Sequence, residues 1–176
     1  MRSGGEIPDE GRAGLCAQTE ARAAAQAQAM VLQFHEAFDL VRRDTPGDVD
    51  PQTRQLRLGL ILEELLEFAV AAGAGQPVAD ALRHAASVCS QAPQTENRAN
   101  LVGVADALAD LLYVVYGACV SYGVDIWPIF QEVHRSNMAK VGGHKREDGK
   151  WIKPPHWQPP RIAPLLREQG WRQPGG

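Results

Sequence analysis

From about residue 19 to residue 140, apolar positions recur every three or four residues, and nowhere do they alternate with the period of two of a half-buried strand. The pattern predicts helices. Thr19 to about Arg43 is Ala-rich, and Met30, Val31, Phe34, Phe38 and Val41 form one apolar face until the run Asp44–Asp48 (DTPGD) breaks it. Asp50 followed by Pro51 is a good start, an Asx cap and then Pro at the first helical position. That helix should reach Ala72, with Gly73 as terminator. A short helix, roughly Val78–Ser90, fits between Pro77 and Pro93. Asn100 can cap a further helix that Gly123 ends. Asp125 can cap a last one through about Lys140, with Pro128 tolerated in its first turn and Gly142 and Gly143 beyond. Four main helices with short connections indicate an all-α protein, a four-helix bundle. Residues 1–17 are Gly-rich without periodicity and read as a disordered extension; 18–143 form the bundle domain; 144–176 read as a Pro-rich, basic, loop-like C-terminal arm.

Two of these helices carry acids on otherwise apolar surfaces. Leu58–Ala72 (LGLILEELLEFAVAA) holds Glu63, Glu64 and Glu67, and Leu101–Val120 (LVGVADALADLLYVVYGACV) holds Asp106 and Asp110. At about 100° per residue the three glutamates fall within an arc of about 100°, and the two aspartates lie about 40° apart. A surface Glu usually has a Lys or Arg three or four positions away; here those positions hold apolar residues, Gly, Ala, Tyr or another acid. Like charges at that spacing repel, so a cation is expected to compensate them. An oxygen-only donor set suits Mg²⁺, with Mn²⁺ as substitute, rather than zinc, which prefers His and Cys. A di-iron bundle would need Glu-x-x-His pairs, and neither Glu64 nor Glu67 has a His three residues on. If the two acidic faces meet, the result is a carboxylate cage for phosphate chemistry.

Charge and cysteines change little but exclude some classes. The 176 residues carry a net charge of −3, which argues against a protein that coats a nucleic acid polymer. Nine of the 18 Lys and Arg lie between Arg135 and Arg172, a local excess suited to anions. Cys16, Cys89 and Cys119 are scattered, so a reducing cytoplasm is expected. The longest uncharged run, Leu111–Val124, falls short of the roughly 20 residues that span a bilayer, and no membrane partner is expected.

Several separated motifs occur together: QFHEAF at Gln33–Phe38, EELLE at Glu63–Glu67, DALADLLYVVYG at Asp106–Gly117, EVHRSNMAK at Glu132–Lys140 and REDGKWIKPPHWQPP at Arg146–Pro160. Over residues 30–162 the chain resembles the all-α nucleoside triphosphate pyrophosphatases, within them the MazG-like branch that includes dimeric dUTP pyrophosphatases. The resemblance implies Mg²⁺-dependent cleavage between the α and β phosphates of a nucleotide such as dUTP, giving a monophosphate and pyrophosphate, in a house-cleaning role. Phosphoribosyl-ATP or a damaged triphosphate is an alternative substrate, and a catalytically weakened nucleotide-binding protein is an alternative class. It further implies that Glu63, Glu64, Glu67 and Asp110 hold metal and that Glu63 or Glu64 orients or deprotonates the attacking water. Ala107 stands where that family has the Glu of Glu-x-x-Asp, and Asp106 is the natural replacement. Asn137 and Lys140, with Arg146, Lys150 and Lys153 from the arm, are the implied phosphate contacts; Phe34, His35 and Tyr113 are candidates for the base. Trp151, Trp157 and Trp171 are expected to cover the site or to pack the arm across a partner subunit. The apolar character of Leu58–Val70 nearly all round indicates burial on several sides, and a homodimer or homotetramer is expected.

Overall fold

The computed structural model describes residues 25–141, 143 and 153–173, and among these every regular element is a helix. They are α1 (25–37), α2 (Pro51–Ala71), α3 (Gln76–Gln91), α4 (Leu101–Tyr122), α5 (Ile126–Met138) and α6 (Ile162–Glu168). The predicted extension 1–17 lies outside the described residues.

The helix starts are local chemistry. Asp50 Oδ1 accepts the Thr53 N–H at 2.8 Å and Oδ2 accepts the Thr53 hydroxyl at 2.7 Å, with Pro51 supplying a preset φ. Those two bonds to Thr53 hold the Asp50 carboxyl below its ordinary range. Asn100 Oδ1 takes the Gly103 N–H at 3.2 Å to start α4, and Asp125 Oδ1 takes the Trp127 N–H at 3.1 Å to start α5. At the end of α4, Gly123 turns the chain at φ +67°, which lets the Val124 N–H reach back to Cys119 O at 2.9 Å.

The chain divides into two units. One is Arg43–Asp110. Here α2 and α3 form an antiparallel pair joined through Gly73 and Gly75, both at positive φ, and small residues on either side of that turn, Ala69 and Ala79, are buried and let the helices approach closely. At the open end of the pair, Gln55 Nε2 donates to Cys89 O at 2.6 Å and to Ala92 O at 2.9 Å. The connection to α4 is held on the start of α2. Arg54 donates to Asn97 O, and the Ala99 N–H donates to Asp48 Oδ2 at 2.9 Å, the main reason the Asp48 carboxyl lies low.

The other unit comprises residues up to Arg42 and from Leu111 onward. Within it α6 packs on α5, and the Gln169 carboxamide pairs with both backbone groups of Asp125 at 2.9 Å each. Two expectations are corrected here. The first helix stops at residue 37 instead of running to Arg43, because Asp39 takes a left-handed turn (φ +49°) and His35 bonds Val41 O across it. Its apolar face is also only partly covered: Phe38 is buried against Phe34 (ring centroids 4.4 Å apart), while Val31 and Val41 are exposed. Secondly, the C-terminal arm is not loop throughout, since residues 162–168 form α6 with Pro164 in its first turn.

Helix α4 stands out. None of its residues is buried, and Val102, Tyr113 and Val120 are about four-fifths exposed (81%, 80% and 81%). By length and composition it would also suffice to cross a membrane, which the uncharged run read from the sequence did not reveal because Asp106 and Asp110 interrupt it.

Candidate active site

Glu63, Glu64 and Glu67 sit in the C-terminal half of α2 and are all exposed, on a helix that its cap and its packing on α3 keep rigid. On α4, Asp106, Asp110 and Tyr113 follow one another at spacings of four and three, and Val102, Gly117 and Val120 extend the same stripe. The most exposed residues of α4 therefore lie on the face that carries the acids. Ala107 lies about 100° from Asp106 and about 60° from Asp110, the same spread that Glu64 has from Glu63 and Glu67 on α2, while Asp106 and Asp110 lie about 40° apart.

Among the described residues no three His, Cys, Asp or Glu side chains come together as a metal group. The donor chemistry fits a hard divalent ion, since all five candidates are carboxylates.

Asn137 and Lys140 are brought together. Lys140 Nζ donates to Asn137 Oδ1 at 2.7 Å at the C-terminal end of α5. The oxygen of the carboxamide faces the ammonium, which puts its NH₂ group on the other side. Of the arm residues, Lys153 lies over the Trp157 ring at 3.8 Å from its centroid, whereas Arg146 and Lys150 lie outside the described residues, as does Trp151. Phe34 packs against Phe38 with the rings tilted by 36°, and His35 Nδ1 donates to Val41 O at 2.8 Å, so both have local structural partners. That bond requires the Nδ1–H form of the ring.

The arm itself follows a course that the sequence pattern did not show. Trp157 Nε1 donates to Ser136 O at 2.9 Å, and Ser136 Oγ donates to Gln158 O at 2.9 Å, so this part of the arm lies along its own α5. Glu132 Oε1 accepts the Arg161 N–H at 2.8 Å, while both Glu132 oxygens meet the Arg135 guanidinium at 2.7 and 2.8 Å. The Arg135 fork, then the Arg161 amide, pull the Glu132 carboxyl down to about 2, and Glu132 in turn raises Arg135. Ser136 (2% exposed) is the buried polar residue at the centre of this contact. The segment is proline-rich, with Pro154, Pro155, Pro159 and Pro160, and its bonds to α5 are made by the Trp157 indole, the Gln158 carbonyl and the Arg161 N–H.

Among the described residues every regular element is a helix, the fold class of the all-α, MazG-like nucleotide pyrophosphohydrolases. The model of the phosphoribosyl-ATP pyrophosphohydrolase family (PRA-PH) matches residues 31–137, and the chain belongs to that family. Its fold is similar to that of a protein from Exiguobacterium sp. 255-15 provisionally assigned as an NTP pyrophosphohydrolase, with a TM-score of 0.58 and 29% sequence identity over 82% of this chain and 93% of that one. A comparison with curated proteins gave no match. The chain is thus a nucleotide pyrophosphohydrolase, a hydrolase of acid anhydrides, and none of these matches names dUTP.

Proposed function

We infer that this protein hydrolyses the α–β phosphoanhydride of a nucleotide in a Mg²⁺-dependent reaction, releasing a monophosphate and pyrophosphate. The observation that carries the reading is the pair of exposed acidic faces, Glu63/Glu64/Glu67 on α2 and Asp106/Asp110 on α4, in a member of the phosphoribosyl-ATP pyrophosphohydrolase family. That membership supports phosphoribosyl-ATP as the first substrate to try, ahead of dUTP and damaged triphosphates. When bound, the metal supplies charge neutralisation at the phosphoryl oxygens and lowers the pKa of water. The five carboxylates would hold it. Glu63 or Glu64 acts as general base, accepting a proton from the water that attacks the α phosphorus. Lys140 and the Asn137 carboxamide donate to the leaving pyrophosphate oxygens, where negative charge accumulates as the bond breaks.

A second copy of the chain completes the site in this reading. Helix α4 exposes an apolar stripe around Asp106 and Asp110, and a partner subunit bearing its own acidic α2 face covers that stripe while adding donors. A lipid environment fits the same helix poorly. Each aspartate near the middle of a membrane span costs about 2.5–3.5 kcal/mol, and α4 carries two.

The test is incubation of the purified protein with phosphoribosyl-ATP and a panel of ribo- and deoxyribonucleoside triphosphates, with and without Mg²⁺, with products identified by chromatography. Monophosphate plus pyrophosphate, formed only with metal, is expected. Diphosphate plus phosphate would refute α–β cleavage. No turnover of any nucleotide would leave the catalytically weakened binding protein, with Ala107→Glu as the restoring variant.

A further inference from the structure

We propose that Trp157 and Ser136 are positioning residues for phosphate binding: the indole N–H caps the Ser136 carbonyl and thereby fixes the last turn of α5 in the winding that places Lys140 beside Asn137. The inference rests on the reading of Asn137 and Lys140 as phosphate donors.

The hydrogen-bond pattern at this helix end carries the argument. In a continuing α-helix the Lys140 N–H would donate to Ser136 O, four residues back. Here Lys140 N–H donates instead to Asn137 O at 3.0 Å, and the tighter pattern continues with Val141 N–H to Met138 O at 3.0 Å and Gly143 N–H to Lys140 O at 3.1 Å. Ser136 O, left without its helical donor, takes the Trp157 indole at 2.9 Å. An α turn advances about 100° per residue and a 3₁₀ turn about 120°, so over the three steps from Asn137 to Lys140 the choice rotates the lysine by about 60°. The tight winding allows the 2.7 Å contact of Nζ with Asn137 Oδ1. Because Ser136 is buried, water is a poor substitute for the indole, and the competing donor for its carbonyl is the Lys140 N–H itself.

The rest of the arm holds the indole in place. The Trp157 N–H closes a turn onto Pro154 O at 2.9 Å, Lys153 Nζ sits over the ring, Ser136 Oγ holds Gln158 O, and Glu132 holds the Arg161 N–H. Two proline pairs, Pro154–Pro155 and Pro159–Pro160, stiffen the segment on either side of Trp157. An arm that served only to cover apolar surface would not need to engage a helix-end carbonyl.

The experiment is calorimetric titration of the full-length protein with magnesium pyrophosphate, the phosphate part of the expected product, for wild type, Trp157→Phe, Lys140→Met and the double variant. Phenylalanine keeps the ring and loses the N–H. Trp157→Phe is expected to weaken binding about fivefold, the effect of one hydrogen bond. Lys140→Met is expected to weaken it at least as much, and the double variant to bind no more weakly than Lys140→Met alone. Wild-type affinity in Trp157→Phe overturns the inference. So does an effect that adds fully to that of Lys140→Met, because the indole would then act elsewhere. Failure of wild type to bind pyrophosphate, or a Lys140→Met variant that binds like wild type, overturns the phosphate reading beneath it. If Trp157→Phe loses its helical circular dichroism, Ser136→Ala, which cuts the latch from the helix side, takes its place in the same cycle and is judged by the same outcomes.

Discussion

Val120→Lys tests whether the exposed stripe of α4 is an interface. Val120 is 81% exposed on the stripe that carries Asp106 and Asp110, ten residues beyond Asp110. That is about 15 Å along the helix, far enough to leave metal ligands untouched. Fully burying a valine contributes about 1.5 kcal/mol, so covering the four-fifths still open contributes about 1.2 kcal/mol per copy. A two-fold dimer loses it twice, about 2.4 kcal/mol or about sixtyfold in the dissociation constant, before the cost of desolvating two ammonium groups is added. Sedimentation velocity over a dilution series should therefore show wild type as a dimer and the variant dissociating at far higher concentration. On the proposed reading, in which a partner completes the site, the specific activity of the variant should fall on dilution and recover as protein is concentrated. A wild-type protein that stays monomeric in the presence of Mg²⁺, or a variant that associates as well as wild type, would refute the reasoning.

Three other outcomes follow from the geometry. Glu64→Gln and Asp110→Asn should each reduce turnover by about 10²-fold or more while leaving helical circular dichroism unchanged; a variant with wild-type rate would remove that residue from the site. Asp50→Ala removes both bonds to Thr53 and should lower stability by about 1 kcal/mol in urea denaturation, with Asp50→Asn retaining most of it; equal losses in the two variants would mean that capping is not the cause. The Glu132 carboxyl ionises more readily in the folded chain (about 2) than its ordinary 4.5, so its contribution is complete above that ordinary value and disappears as pH falls through about 2. Stability measured from neutral pH downward should accordingly fall more steeply for wild type than for Glu132→Gln, and parallel curves would show that this carboxylate adds nothing.

The candidate site was partly legible because much of it is local. The acids on α2 and α4 were identified by their spacing on apolar helices, and the structure keeps each set on one exposed face. Asn137 and Lys140 are implied together by a family likeness, and their 2.7 Å contact follows from three-residue spacing at a helix end. Ser136 was missed. A lone serine between Arg135 and Asn137 has no pattern of its own, and its role depends on a tryptophan 21 residues away.

The chain by itself determined the helices and their starts. Asp50, Asn100 and Asp125 each satisfy an N–H two or three residues on, and Gly123 allows the left-handed turn that ends α4. Such bonds close within one turn, so they are decided by neighbours in sequence. Tertiary structure alone decided which apolar faces are covered. It buried Phe38 and left Val31 and Val41 open, laid the proline-rich arm on α5, and left α4 bare. Periodicity shows that a face is apolar but not what lies against it. That depends on which distant segments repay the entropy of closing a long loop, a comparison made over the whole chain.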